Sequence, residues 1–288
     1  MFINLLKKSF LDVVKNPIIT LLLVSYFIII SMLAGCLRLQ SNMLIWYMLA
    51  FTSFLFVAIF MAGWFRVIKE ISLKNPEEEK ESSYIAKFLE GIGENVIPYS
   101  VGIFIYAVIS MIFVYIAFLI STKLYGNPQE IIMKAQASAD IKQYMDSLSS
   151  EEMAKLYAFP ISFIISTTFC MFLFMYYFPS MIFSEVKNLF AKPFVALKDN
   201  FCFLFKHFFK SVGIYIVLCF INITAVLIKH LYLPGHVLVD ILYLFYVIYF
   251  LSFAVMLICN YYGQNYSCNN RPDSLGENKS DDSAGEED

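Results

Sequence analysis

Residues 3–37 read INLLKKSFLDVVKNPIITLLLVSYFIIISMLAGCL, and two kinds of segment meet in them. Apolar residues first recur at helical spacing, at Ile3, Leu6, Phe10, Val13 and Val14, with Lys7, Lys8, Asp12 and Lys15 on the other side. Asn16-Pro17 interrupts that pattern, because proline disfavours helix in the residue before it and readily opens a new one. From Pro17 to Leu37 there is no charge, and about 20 such residues cross hydrocarbon roughly 30 Å thick. The stretch predicts a short amphipathic helix in the headgroup plane, an elbow, and a transmembrane span.

Five further runs of the second kind follow, at 43–65, 99–121, 159–183, 213–228 and 237–261. The fifth span is the weakest, since Asn222 and Thr224 interrupt it and Lys229 ends it early. Composition agrees: 59% of the 288 residues are hydrophobic and 15% charged, against about 45–50% and about 25% in soluble domains. The 30 Phe and 19 Tyr suit lipid-facing surfaces and aromatic belts. The expected fold is all-α, a polytopic membrane helix bundle of about six transmembrane helices. Residues 1–262 form its membrane domain and 263–288 an acidic tail.

Lys and Arg in the flanks set the orientation. Fifteen lie on the side that holds both termini and six on the other, which predicts a cell-membrane protein with both termini cytoplasmic.

The elbow recurs. Tyr84–Glu90, ending near Pro98, precedes the third span, and Phe194–Lys210, rich in Phe with Lys198, Lys206 and Lys210, precedes the fifth. The spans are therefore expected as three hairpins, each introduced by an amphipathic interfacial helix.

Particular residues carry a resemblance. Ala62-Gly63-Trp64-Phe65-Arg66-Val67 closes the second span and Phe88-Leu89-Glu90-Gly91-Ile92 leads into the third. Phe178-Pro179-Ser180-Met181-Ile182-Phe183 is followed by Ala196-Leu197-Lys198-Asp199-Asn200. On these stretches residues 1–262 resemble the prokaryotic six-helix membrane families around domain of unknown function 4013 and the membrane domain of glycerophosphoryl diester phosphodiesterases. The resemblance implies an architecture and no common activity; the chain carries no phosphodiesterase catalytic domain.

The outer insert, residues 122–158, holds two helix starts. Asn127-Pro128 offers a cap and a first-turn proline, and Ser149 with Glu152 forms a capping box. Two short helices are expected, with Ile131, Ile132, Ala135 and Ala139 as a face on the bundle; the insert reads as a tolerated insertion or a lid. The tail from Arg271 has seven acids against two bases and is expected to stay solvated, as is the run Pro76–Glu81.

Candidate chemistry is sparse. Leu33-Ala34-Gly35-Cys36 matches a lipobox, which would lipidate Cys36 and remove the first span; chance small residues at a span end are the plainer account. The six cysteines show no CxxC or Cys/His metal spacing. Asp240 lies within the sixth span one turn after His236, with Lys229 and His230 near. An intramembrane acid raises the idea of a proton or anion site, against a cap or salt bridge. Asp240, His236, Asn222 and Thr167 together outline a polar cavity through spans four to six. Ser162, Ser166, Thr168 and Thr224 could join it or simply bond between helices. There is no HExxH, GxSxG, Walker or dinucleotide-binding pattern, so no enzyme, cofactor or metal is expected. No basic, aromatic-interleaved patch suits nucleic acid. Lipid or amphipath binding, or service as a membrane-protein partner subunit, is the leading expectation; a small secondary transporter is the alternative.

Overall fold

The computed structural model describes residues 2–73, 83–138, 141–232 and 237–269, which form eleven helices with no strand among them. In chain order they are α1 (Phe2–Lys15), α2 (Ile18–Leu39), α3 (Met43–Leu73), α4 (Tyr84–Tyr125), α5 (Gln129–Ala137), α6 (Ile141–Asp146), α7 (Ser150–Leu173), α8 (Tyr177–Phe183), α9 (Lys192–Lys206), α10 (Phe208–Tyr232) and α11 (Val237–Asn269). Six helical segments are long and apolar enough to cross a bilayer: α2, α3, α4, α7 with α8, α10 and α11. The chain is an all-α, multi-pass membrane protein. The run Pro76–Glu81, Ala139, His236 and the acidic tail lie outside the described residues.

The core gathers at one end, where α1 and α9 meet the start of α2, α4 and α10 and the finish of α3, α8 and α11. There α2 buries Ile19 and Leu23 and nothing further along, and burial in α3 begins only at Ala58. The other halves of the spans turn large apolar side chains outward, such as Met111 on α4 and Phe220 on α10, 64% and 71% exposed. A soluble protein could not leave so many uncovered, whereas lipid covers them at no cost.

Two of the three elbows are separate helices. Between α1 and α2, Asn16 donates its side-chain amide to the Asp12 carbonyl at 2.8 Å. α1 turns Leu5, Ser9 and Val13 into the bundle and leaves Ile3, Phe10 and Val14 exposed, so its apolar surface is wider than one buried stripe. Between α9 and α10 only His207 departs from helix.

The second elbow is different. It is continuous with its span in the 42-residue α4, which passes through Pro98 without breaking. An interior proline costs about 3 kcal/mol in a free helix. Here packing on α3 offsets it: Gly91 lies so close that a Cβ would stand 2.4 Å from the Arg66 Cβ and 2.8 Å from the Ala62 carbonyl oxygen.

The fourth span is two helices rather than one run, with a turn at residues 174–176 between α7 and α8. α7 also begins earlier than expected, because the Ser149–Glu152 capping box starts the span itself, while the second short helix of the insert is α6. The Asn127 carboxamide oxygen does accept from Gln129 N at 3.0 Å to start α5, where Ile131 is buried and Ile132 is 40% exposed. α10 runs 25 residues without interruption. Thr224 donates to its own helix, at the Phe220 carbonyl, 2.8 Å, and so needs no break.

Candidate functional site

The turn at 174–176 frees backbone groups inside an apolar span, and buried backbone groups need protein partners. Asn200 of α9 does so from a fully buried position. Its Oδ1 accepts from Tyr176 N at 3.0 Å and its Nδ2 donates to the Leu173 carbonyl at 2.8 Å. Ser180 ties α8 to the same helix by donating to the Ala196 carbonyl at 2.9 Å. The Tyr176 and Ser211 hydroxyls share a hydrogen bond at 2.9 Å.

Beside this turn lies a cavity of about 270 Å³. α2 contributes Leu23, Tyr26 and Phe27; α3 contributes Phe60, Met61, Trp64 and Phe65. Met175, Phe178 and Pro179 come from the broken span, and Leu251, Val255 and Ile258 from α11. No lining side chain is charged. The Trp64 indole N–H is spent on the Ile19 carbonyl at 3.1 Å, which leaves the Tyr26 hydroxyl as the polar group of the wall. Its wall is thus almost wholly apolar, the surface that an apolar group matches better than an ion does.

One turn nearer the elbow end, the cations of α3 and α9 converge. Lys69 donates to the Ile182 carbonyl at 2.8 Å and stands over the Phe183 ring at 5.4 Å. Lys192, only 8% exposed, donates to Asn95 Oδ1 at 2.7 Å. Arg66 pairs with Glu90, which Lys87 also contacts at 3.1 Å. Burial first, and then the charges of Lys69 and Arg66, hold the Lys192 ammonium below the ordinary lysine value against the pull of Glu94.

Of the residues expected to form a polar cavity, Thr167, Asn222 and Asp240 are not joined to one another, and His236 lies outside the described residues. Thr167 donates within α7, to the Phe163 and Ile164 carbonyls at 2.8 and 3.0 Å. Asn222 is exposed on α10. Asp240, with its side chain 57% exposed, pairs with Lys229 at 2.9 Å, and Lys229 also sits 4.5 Å over the Tyr243 ring. That arrangement staples α10 to α11 at the far end. Cys36 is exposed near the end of the continuous α2. Among the described residues no cluster suited to a metal ion occurs.

Reading the sequence overlooked Asn95, Lys192 and Asn260 as buried polar anchors. Lys192 and Asn260 are lone polar residues beside apolar neighbours, which is the signal available, while Asn95 follows Glu94; the partners that bury them are remote in sequence. No family model, curated protein or solved structure matches the chain.

Proposed function

We propose that this chain is a cell-membrane protein, both termini cytoplasmic, that binds a lipid or other amphipathic molecule through the cavity between α2, α3, α8 and α11, either for its own handling or as the lipid-bearing subunit of a membrane complex. The observation that carries the reading is the cavity's lining: thirteen residues, none charged, contributed by four of the helices long and apolar enough to cross a bilayer. Its volume lies just under the roughly 300–1,000 Å³ of small-molecule sites, which suits a segment of acyl chain. The excess of Lys and Arg flanking the elbow end supports the orientation. A transporter path would need Thr167, Asn222 and Asp240 on one hydrated route, and each of them is engaged or directed elsewhere.

The test is filling the chamber. Val255→Trp and Met61→Trp, purified in mild detergent, are expected to lose lipid that the wild type retains in native mass spectrometry, with unchanged helical circular dichroism. Equal lipid retention by wild type and both variants would sink the reading.

A further inference from the structure

We infer that the ligand is a phosphate-bearing lipid whose acyl chain enters the cavity and whose phosphate rests on Arg66, Lys69 and Lys192; this rests on the lipid-binding reading above. The cavity is too small for a whole lipid, so the rest of the molecule lies outside it. The rings of Phe65 and Phe178 form part of its wall, 6.1 Å apart. One turn along each helix, about 5.4 Å, stand Lys69 on α3 and the Ile182 carbonyl on α8, joined by the 2.8 Å hydrogen bond. The cationic cluster thus begins where the apolar wall ends, the order of head and tail in an amphipath.

The cluster also holds unspent donors. An ammonium carries three; Lys69 and Lys192 each show one hydrogen bond, and among the described residues neither makes an ion pair. The Arg66 Nε is buried with no partner. Glu90 is already shared by Arg66 and Lys87, while Glu94 and Glu185 are exposed and form no ion pair with the lysines. Buried cations are stable when paired and hydrogen-bonded. A phosphate supplies several acceptor oxygens and negative charge at once, and Arg with Lys is the pairing that recognises it.

The experiment is native mass spectrometry of the full chain in an uncharged detergent, titrated with phosphatidylglycerol, with diacylglycerol of the same chains, and with inorganic phosphate. Phosphatidylglycerol is expected to bind roughly tenfold more tightly than diacylglycerol, the scale of one charge-assisted contact. Lys192→Gln, which keeps a donor for Asn95, and Arg66→Gln should erase that preference. Equal wild-type affinity for the two lipids, or a preference that survives both variants, overturns the headgroup site and leaves the cavity reading standing. Retention of neither lipid overturns both. Millimolar inorganic phosphate that displaces phosphatidylglycerol, or that stabilises the wild type but not Lys192→Gln, would mark a site for a free anion and overturn the lipid assignment. The wild-type comparison decides even if a variant fails to fold.

Discussion

Asn260, fully buried near the end of α11, donates its side-chain amide to the Asp12 carboxylate of α1 at 2.9 Å. The same amide group donates to Ser9 Oγ at 3.0 Å, and its oxygen accepts from Ser72 Oγ of α3 at 2.7 Å. Lys8 adds a bond to the Ser72 carbonyl at 3.3 Å. One side chain therefore fastens the first elbow to the finish of two spans.

Asn260→Leu is expected to lower the thermal unfolding midpoint in detergent and to expose α1 to protease. Leaving the buried Ser9 and Ser72 hydroxyls without this partner costs about 1–3 kcal/mol. A variant with wild-type midpoint and protease resistance would show that α1 is held by its apolar contacts alone.

Two neighbouring glycines separate close packing from helix propensity. A Cβ at Gly91 would stand 2.4 Å from the Arg66 Cβ, whereas one at Gly93 meets nothing within 4 Å. Gly91→Ala should destabilise by about 1–3 kcal/mol through overpacking. Gly93→Ala should stabilise by about 0.5–1 kcal/mol through helix propensity. Thermal unfolding of the pair decides it; a like effect of both substitutions would refute the close crossing of α3 and α4.

How far the fold is legible follows from where the causes lie. A charge-free run such as 99–121 has one ready outcome in a bilayer, a helix with all its backbone bonds internal, and the Ser149–Glu152 box is local. The turn at 174–176 is different: Pro179, in the first turn of α8, hints at a break near the end of the span, but the group that holds the turn open is Asn200, 24 positions after Tyr176. Pro98 reads as a stop until Gly91 brings α4 onto α3. The cavity is equally hidden, because aromatics at helical spacing are the same in a filled core as around a chamber. Lys192 looks like one more basic residue near an elbow; its burial and its bond to Asn95, 97 positions away, exist only once α4 and α9 meet.

The turn between α7 and α8 predicts a contrast between two asparagines. Asn200→Leu strands the Tyr176 N–H and the Leu173 carbonyl, at a cost of about 1–3 kcal/mol for each unsatisfied group. Asn222→Leu, on the exposed face of α10, should be neutral or slightly stabilising in lipid, where an apolar side chain is preferred. The measurement is again the unfolding midpoint. An Asn200→Leu midpoint equal to that of Asn222→Leu would remove Asn200 from its role in holding the turn.

His207, at the joint of α9 and α10, predicts the direction of one pH effect. Its ring lies 4.6 Å from that of Phe203 and 6.0 Å from that of Tyr261, with its Nε2 buried and unpartnered. Burial first, and then the charges of Lys206 and Lys210, lower its pKa from the ordinary 6.5. The unfolded chain then binds this proton more readily than the folded one, so stability rises with pH across the window below about 6.5. Its contribution is present above the unfolded value and declines as pH falls through the folded one. His207→Phe is expected to flatten the dependence of the unfolding midpoint on pH between about 5 and 7, and to do so without changing the midpoint at pH 8. If the acid-side slope persists unchanged in that variant, the titrating group lies elsewhere, and the joint between α9 and α10 is not what makes the fold sensitive to acid.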